Sequence, residues 1–497
     1  MNRHTRFVSL AIVVLSLGAG LACNQAPTSA AASTSNAKIP VTTKSEEAKN
    51  EFLQGRDLAD RLLAQDSLQH FQKAVALDPE FASAELAWAT SAPTTKEFFE
   101  HLNKAVSLAD KASEGERLLI LNTQAAANGD VVKQKESCEK LVAAFPNDER
   151  AQFALGGYYF GQQDWIQAIE HNKRATELAP GYSPAYNQLG YAYRQEGDFA
   201  NAEQAFQKYI GLIPNDPNPY DSYAELLLKE GKFDESVVQY RKALSLDDTF
   251  NPSRFGVSAD LMYQGKAAEA ESELQTMASR ARNDGELRTA YFGMAVLASD
   301  GGKFDKAQQA MDKEYAVAEK KNDVPSMAAD LQAKGNIALA ARQFAAARQH
   351  FDRSFQMIQD SNQSQGIKDN SASLHHFNLA AIAIEKKDFA TAKNETEEFR
   401  KAAEASNNGL QMKLFHELAG TTALAQKDYD QAIAELQQAN ELDPRNPYRL
   451  GLAYQGKGDA AKAHEYFSQA ADFNPLPMLR YAYIRSKAQK QATTTKS

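Results

Sequence analysis

The sequence has few of the residues that supply redox, disulfide or nucleic-acid chemistry. There are two cysteines in 497 residues, Cys23 and Cys138, so at most one intramolecular disulfide is possible. Lysines and arginines number 55 against 64 aspartates and glutamates, which gives a formal net charge of −9, and no basic block is present. Because nucleic-acid binding needs a positive surface that follows the phosphates, we expect no nucleic-acid partner.

Complete cofactor and catalytic motifs are also missing. The sequence Gly451-x4-Gly456-Lys457 has the outline of a phosphate-binding loop. However, Gly458 follows where the motif needs a serine or threonine for Mg²⁺, and no strand is predicted before it. We therefore interpret this segment as part of a helix and the turn after it.

Two histidines begin like the helical zinc-protease motif. His416 and His464 are each followed by a glutamate, but Gly420 and Ser468 stand where the second histidine ligand is required. No Gly-x-Ser-x-Gly nucleophile motif occurs either. We expect a protein that is not an enzyme, with no catalytic residue, no metal and no cofactor.

The N-terminus has the pattern of an export signal. Basic residues at positions 3–6 precede an apolar run at 7–17, which is too short to span a bilayer as a mature helix. The sequence Gly20-Leu21-Ala22-Cys23 resembles a bacterial lipobox. The resemblance implies a signal peptide at 1–22, lipidation of Cys23 and a lipid anchor in the cell envelope, with the outer membrane or periplasmic face favoured. Ordinary cleavage at the same small residues, which frees the protein, stays open.

The segment after this cysteine differs in composition from the rest of the chain. Residues 23–46 are rich in alanine, serine, threonine and proline and show no apolar period. We predict a flexible linker here, and about 20 such residues reach roughly 25 Å. The folded part is then expected to lie just off the membrane surface.

Between positions 149 and 248 one pattern of residues recurs at a constant interval. Its central copy places Gly190 in one predicted helix, Phe199, Ala202 and Phe206 in a second, and Pro214 at the end. This residue order, with a period of about 34 residues, resembles the tetratricopeptide repeat. The resemblance implies units of two antiparallel helices, which stack because one unit cannot bury its apolar face alone.

The repeats can be followed beyond residues 149–248 by one position in each unit. This position is the first residue of the second helix, and we call it the landmark. A small residue stands three positions later in nine of ten units, whose landmarks are Val131, Trp165, Phe199, Phe233, Ala267, Phe304, Phe344, Phe389, Tyr429 and Ala460. The interval between landmarks is constant up to Ala267, is greatest between Phe344 and Phe389, and is least before Ala460. Two weaker units precede Val131, so we count about twelve helix pairs.

We therefore predict an all-α, right-handed α-solenoid of about twelve antiparallel helix pairs. Residues 47–284 are expected to form the mostly 34-residue units, 285–408 longer helix pairs, 409–490 the last units with a capping helix, and 491–497 a disordered tail. Because a change in repeat length changes curvature, one arm and two arms joined near residue 285 are both compatible with the sequence.

The second cysteine falls at a packing position of the repeat. Cys138 occupies the place in its unit that Phe206 occupies in the central copy. We expect a buried, unpaired thiol, and a disulfide to Cys23 is the open alternative.

The resemblance also implies where a partner binds, because in this family the first helices of the units line a concave groove. The groove positions carry Phe153, Phe160, Asn187, Tyr191, Arg194, Asp221, Glu225, Phe255 and Tyr263. Mixed aromatic and polar side chains of this kind suit capture of a peptide or helix, although each of them could instead pack on the next helix. The positions of the family's carboxylate-holding clamp carry Phe153, Gly157, Gln188, Asn218 and Ser222, so we do not expect that specificity.

The function expected from these observations is a non-enzymatic protein–protein interaction scaffold of the bacterial cell envelope. Its partner is expected to be a protein or peptide held in the concave groove, within an assembly or secretion complex, and its contact with the membrane is expected to be the N-terminal lipid. The alternative is an envelope receptor for a peptide, a glycan or a small ligand, which would show a closed pocket rather than an open groove.

Overall fold

The structure is a computed structural model that describes residues 37–494, and within that range it contains 26 α-helices, one short 3₁₀ helix and no strand. The first half of the helices are α1 Glu46–Asp60, α2 Ala64–Leu77, α3 Ala82–Ser91, α4 Thr95–Leu108, α5 Glu114–Asn128, α6 Val131–Ala144, α7 Glu149–Gly161, α8 Trp165–Leu178, α9 Ser183–Glu196, α10 Phe199–Leu212, α11 Asn218–Lys229, α12 Phe233–Leu246 and α13 Asn251–Tyr263. The second half are α14 Ala267–Ser279, α15 Asp284–Asp300, α16 Phe304–Lys320, α17 Val324–Ala340, α18 Phe344–Asp360, α19 Gln365–Glu385, α20 Phe389–Ser406, α21 Gly409–Gln426, α22 Tyr429–Leu436, α23 Arg445–Lys457, α24 Ala460–Ala471, α25 Leu479–Ala482 and α26 Arg485–Thr494.

The helices form twelve successive pairs, and α25 and α26 follow the last of them. In each pair an odd-numbered helix packs against the next even-numbered helix, so that α1 and α2 are pair 1 and α23 and α24 are pair 12. Each even-numbered helix then packs on the first helix of the next pair. The predicted all-α solenoid of about twelve antiparallel helix pairs is confirmed.

The ten landmark residues of the sequence are the first residues of the even-numbered helices from α6 to α24. The nine small residues three positions later are completely buried, namely Ala168, Ala202, Ser236, Ala270, Ala307, Ala347, Ala392, Ala432 and Ala463. They are small because the two helices of a pair approach each other closely at this point. At one of these positions the Ser236 hydroxyl donates to the backbone carbonyl of Ala224 on α11 at 2.9 Å, which shows how near the two helices lie.

A second close approach uses glycine on the odd-numbered helix. A Cβ on Gly190 would lie 2.6 Å from Phe206 Cε1, well inside van der Waals contact. The same relation, between a glycine of the first helix and a side chain of the second, recurs for Gly55 with Phe71, Gly156 with Asn172, Gly335 with Phe351, Gly420 with Leu436 and Gly451 with Phe467. A side chain of the second helix, most often an aromatic ring, thus fills the space that the missing side chain leaves.

Cys138 lies at this same position of pair 3, as its place in the repeat predicts. Its Sγ is buried and donates a hydrogen bond to Asn122 Oδ1 on α5, 3.2 Å away. Burial raises the pKa of the thiol to about 12, so it stays protonated and unreactive at neutral pH. The prediction that this side chain is buried is confirmed, whereas Cys23 lies outside the described residues.

The odd-numbered helices form the inner layer of the solenoid. Neighbouring odd-numbered helices contact each other directly, as α7 does α9, α11 does α13, and α19 does α21. Because the layer with the shorter distance between pairs is the inside of a curve, these helices line the concave face.

The solenoid curves so strongly that pairs far apart in sequence contact each other near the ends of their helices. The amide of Thr95, the first residue of α4, donates to Asp323 Oδ2 at 3.0 Å, immediately before α17. Asn370 Nδ2 in α19 donates to Asn128 O at 2.9 Å, at the end of α5. These contacts join pair 2 to pair 9 and pair 3 to pair 10. The solenoid therefore completes a turn in about seven pairs, and successive turns touch.

The N-terminal end of the described chain is bound to the solenoid. The sequence predicts a flexible linker over 23–46, and the structure differs from residue 38 onward. We call residues 38–44 the N-terminal strap. Three of its amides donate to carboxylates at the ends of helices: Ile39 N to Asp148 (2.8 Å), Thr42 N to Glu116 (2.9 Å) and Lys44 N to Asp78 (3.2 Å). The strap is extended, so its amides are not used in a helix and can donate to these carboxylates. The carboxylates hold the strap because they lie in a row along pairs 1 to 4.

The C-terminal end is held in a similar way. Leu479 and Ala482 of α25 pack against Ala295 and Val296 of α15, and α26 packs on α24. Residues 491–494 continue α26, where the sequence predicts the start of a disordered tail, because Ala492 packs against the apolar clusters of pair 12.

Helix length changes in the middle of the chain. The helices from α15 to α21 have 17 to 21 residues, whereas those from α1 to α14 have 10 to 15. Despite this change, the described residues 37–494 group as a single compact unit, so two separate arms are not observed among them. No helix within 37–494 is long and apolar enough to span a bilayer. The predicted signal peptide at 1–22 lies outside the described residues.

Candidate functional site

Helix α9 presents a mixed polar and aromatic face to the inside of the curve. Asn187, Tyr191 and Arg194 are spaced by four and three positions, so they lie on the same side of the helix. All three are half-buried, and the Tyr191 ring also packs edge to face on the buried Phe206, at 5.3 Å between centroids. We call this the α9 face.

The α9 face is held in place by α11. The Tyr191 hydroxyl donates to Glu225 Oε1 at 3.0 Å, and Arg194 donates to Glu225 Oε2 at 3.1 Å. The Arg194 guanidinium also lies over the Tyr191 ring, 4.6 Å from its centroid. The structure thus brings three of the predicted groove residues into one network, in which the charges of Arg194 and Glu225 compensate each other.

Asp221 lies below this network rather than in the groove. Only 4% of its surface is exposed, and its Oδ1 accepts a hydrogen bond from Ser253 on α13 at 2.6 Å. Burial, together with the charge of Glu225, raises the pKa of Asp221 to about 8. Its prediction as a groove residue is wrong, because contact with α13 covers it although it lies on the same side of α11 as Glu225.

Several polar atoms of α9 have no hydrogen-bond partner. Asn187 Oδ1, Gln188 Oε1 and Arg194 Nε are hidden from solvent, and none of them is paired within the part of the chain that the structure describes. Leaving a buried polar group unpaired costs about 1–3 kcal/mol. Gln188 occupies a clamp position of the repeat and was not among the predicted groove residues.

The predicted aromatic groove residues of α7 lie beside the α9 face. The Phe153 ring meets Tyr182 edge to face at 5.6 Å between centroids, and Phe160 meets Trp165 in the same way at 5.2 Å. Both phenylalanines are half-buried. They extend the inner surface from pair 5 to pair 4 with apolar area.

The two predicted groove residues of α13 are less accessible to a partner than those of α7 and α9. Phe255 is half-buried and packs against Gly293 of α15. The Tyr263 hydroxyl donates to the carbonyl of Pro475 at 2.5 Å, and its ring meets Tyr481 edge to face at 5.7 Å. Tyr263 is therefore covered by the C-terminal segment and is not part of an open groove, a contact that spans 212 residues and that the repeat pattern does not contain.

The C-terminal segment passes close to the α9 face at Phe473. Lys229, in the last turn of α11, donates to the carbonyl of Phe473 at 2.7 Å and lies over its ring. Burial and the nearby charge of Arg194 lower the pKa of Lys229 to about 8. The open inner surface is thus bounded by residues 473–475 on one side and by α7 on the other.

The segments that resemble catalytic motifs have structural roles. Gly451 and Gly456 lie within α23, where they pack against the rings of Phe467 and Tyr429, so no phosphate-binding loop exists there. His416 Nδ1 lies 2.7 Å from Glu435 and joins the two helices of pair 11. Among the residues described, no cluster of histidines, cysteines and carboxylates suits a metal ion.

Comparison with known proteins identifies the repeat. A family model of the tetratricopeptide repeat matches residues 183–216, 218–250, 415–446 and 448–475, which include α9 and α11. A TPR repeat-containing protein of Pseudomonas aeruginosa is 36% identical over 73 residues, which cover 15% of this chain and 70% of that protein.

Solved structures with related architecture are more distant. Yeast Tom70 is 11% identical over 91% of this chain and 96% of its own, with a TM-score of 0.39. The Cut9–Hcn1 hetero-tetramer of the APC/C is 14% identical over 90% of this chain and 76% of that chain, with a TM-score of 0.42. YrrB, whose structure is described as having an unusual peptide-binding site, is 17% identical over 36% of this chain and 91% of its own, with a TM-score of 0.25. These TM-scores are too low to relate the paths of the solenoids.

Proposed function

This chain belongs to the tetratricopeptide repeat family, and we propose that it is a non-enzymatic scaffold that holds a protein or peptide partner on the α9 face. Repeat arrays of this kind are suited to the role because they present extended concave surfaces built on rigid helices. We further propose that the scaffold works in the bacterial cell envelope, within an assembly or secretion complex.

One observation carries the proposed binding surface. Two polar atoms of the α9 face, Asn187 Oδ1 and Arg194 Nε, find no partner in the described chain, and the aromatic rings of Phe153 and Phe160 lie on the adjoining helix. A peptide supplies both donors and acceptors along its backbone, so it can pair an amide oxygen and a guanidinium N–H of this kind. The free energy recovered by pairing them favours a bound peptide over an empty groove.

The surroundings of the α9 face fit the same partner. Tyrosine and arginine dominate the energetics of protein interfaces, and Tyr191 and Arg194 are already fixed by Glu225, so little conformational entropy is lost on binding. Phe153 and Phe160 add apolar area on the adjoining helix. A peptide with both polar and apolar side chains matches this mixture.

The envelope location rests on the N-terminal sequence. Gly20-Leu21-Ala22-Cys23 follows a basic and then an apolar segment, the order expected of a lipoprotein signal. The strap begins at residue 38, so a lipid on Cys23 would hold the solenoid within about 15 residues of the membrane, or roughly 20 Å for a flexible segment.

Site-specific photo-crosslinking in intact envelopes tests the proposed surface. We expect a photo-reactive amino acid at Asn187 to capture one or a few discrete partners, because this side chain faces the groove. The matched control is Gln204, which is exposed on α10 of the same pair. Equal capture from both positions, or capture from Gln204 alone, would move the site away from the inner layer.

A further inference from the structure

A second cavity lies on the inner layer of pairs 1 to 4, away from the α9 face. It has a volume of about 220 Å³, is partly open to solvent, and is lined by the N-terminal strap on one side and mainly by α1, α3 and α5 on the other. Pockets for drug-sized ligands have about 300–1,000 Å³. The cavity therefore accepts one short apolar group and not a folded partner.

The wall of this cavity is mainly apolar. Ile39 and Val41 come from the strap, Phe52 and Leu86 from α1 and α3, and Leu119 from α5. Transfer of an aliphatic group from water into such a space is favourable by about 0.8 kcal/mol for each methylene. The strap completes the wall, so the cavity exists only while residues 38–44 are docked.

One charge at the cavity has no partner. Arg56 lines it from α1, makes no hydrogen bond or ion pair with any residue of the described chain, and lies 5.7 Å from the centroid of the Phe52 ring. The other arginine of the wall, Arg150, is paired with Asp60 and bonded to Tyr182. Burial and the charge of Arg150 lower the pKa of Arg56, so an anion placed there is attracted by both guanidinium groups.

The carboxylates near the cavity are already occupied by donors. Glu116 accepts hydrogen bonds at Oε1 from Thr42 N and Ser83 Oγ, at 2.9 and 2.7 Å, and at Oε2 from Ser113. Asp148 accepts the amide of Ile39 and caps α7. Neither carboxylate bonds to Arg56, and Asp60, which also acts on it electrostatically, is bonded to Arg150, so the Arg56 guanidinium keeps free N–H donors at the cavity.

We infer that this cavity binds a small aliphatic monocarboxylate, with the carboxylate on Arg56 and the hydrocarbon chain between the strap and α3. An arginine presents parallel N–H donors that match the two oxygens of a carboxylate. The apolar wall selects a hydrocarbon chain over a polar one, and the volume selects a short chain over a long one. This site is independent of the α9 face and of the partner proposed for it.

Isothermal titration calorimetry of the full chain with octanoate tests this inference. We expect saturable binding to the native protein, a loss of about ten-fold or more in affinity for Arg56→Met, and a similar loss for Ala87→Leu, which fills the cavity without changing its charge. The control is Arg348→Met, which removes an exposed arginine from α18 and leaves octanoate binding unchanged.

Three results would overturn the inference. One is the absence of saturable octanoate binding, and another is equal affinity in the native protein and Arg56→Met. The third comes from two comparison ligands, octan-1-ol and an acetylated tripeptide that ends in leucine. Equal binding of the alcohol would remove the role of the charge, and tighter binding of the tripeptide would assign the cavity to a chain terminus instead of a small acid.

Discussion

At the scale of single residues, Gly190 is where the repeat can be tested most simply. The Phe206 ring occupies the space that a side chain at Gly190 would need. We expect Gly190→Leu to lower the free energy of unfolding by about 1–3 kcal/mol, because overpacking forces the ring or the helices apart. Chemical denaturation monitored by circular dichroism gives this value.

Gly161 is the matched control for that substitution. It lies at the end of α7, and a Cβ there would meet no atom within 4 Å. Gly161→Leu is therefore expected to leave stability unchanged or to raise it by up to about 1 kcal/mol through better helix propensity. A stabilised Gly190→Leu would mean that the helices of pair 5 do not cross at this residue.

Asp260 gives the second prediction at this scale. It is completely buried in α13, both carboxylate oxygens are hidden from solvent, and burial raises its pKa to about 8 although the nearby Ser236 hydroxyl acts in the opposite direction. The folded state therefore keeps the proton that the unfolded state loses near pH 4, so the stability contributed by this group falls as the pH rises from about 4 to 8.

The substitution Asp260→Asn removes this titration with almost no change in shape. We expect the loss of unfolding free energy between pH 5 and pH 8 to shrink by at least about 1.4 kcal/mol, the equivalent of one pKa unit. Glu271→Gln, on the exposed side of α14, is the control and keeps the native pH dependence. Identical pH profiles for the native protein and Asp260→Asn would show that Asp260 is ionised in the fold.

How far the sequence predicts the site differs from residue to residue. Asn187, Tyr191 and Arg194 could be placed on one face of α9, because helical spacing determines which side chains share a side. The burial of Asp221 and the cover over Tyr263 could not be predicted in this way. They depend on Ser253 and on Pro475, which belong to other helices and a distant segment.

At the scale of elements, Asp148 joins the N-terminal strap to the solenoid. Its carboxylate accepts the amide of Ile39 and also the amides of Arg150 and Ala151 at the start of α7. We expect Asp148→Ala to cost about 1 kcal/mol for the lost cap and, in addition, to release the strap. Hydrogen–deuterium exchange at the amides of Ile39 and Thr42 should become faster.

A substitution at Asp164 is the control that separates the loss of a helix cap from the release of the strap. Asp164 caps α8 by accepting the amide of Gln167 but has no contact with the strap. Asp164→Ala should therefore cost a similar amount of stability and leave exchange of the strap amides unchanged. Unchanged exchange in Asp148→Ala as well would contradict the docking of the strap.

Helix boundaries were predictable from the sequence, whereas the strap was not. Each landmark from Val131 to Ala460 begins an even-numbered helix, because the close approach of two helices requires a small residue at a fixed distance from the turn. The strap has a composition typical of a linker, and what orders it is a row of carboxylates up to 109 residues away. No local pattern contains that information.

At the scale of the whole molecule, contact between successive turns changes how the solenoid behaves. In an open array each pair touches only its neighbours. Here Thr95 and Asn128 bond to residues of pairs seven positions later, and Lys413 donates to Gln163 at 2.8 Å across the same distance. The period of the repeat predicts stacking of neighbours, but the number of pairs in a turn depends on small rotations that add up along the array.

The location of the molecule can be tested at its N-terminus. If Cys23 carries a lipid, Cys23→Ser should move the protein from the membrane fraction to the soluble fraction. The melting temperature should stay the same, because no described residue of the fold depends on this cysteine. Mass spectrometry of the native protein should show the lipid, and a variant that stays in the membrane fraction would argue against a lipoprotein.

The central claim, that the inner surface at α9 holds a protein partner, is tested most directly by one comparison. Asn187→Arg adds a bulky charge to the α9 face, and Gln204→Arg adds the same charge to the exposed side of α10 in the same pair. After crosslinking in intact envelopes, the partner recovered with each variant is measured relative to the native protein. We expect Asn187→Arg to lose most of the partner while it keeps its melting temperature, and Gln204→Arg to recover it fully. Equal recovery with both variants would contradict the claim.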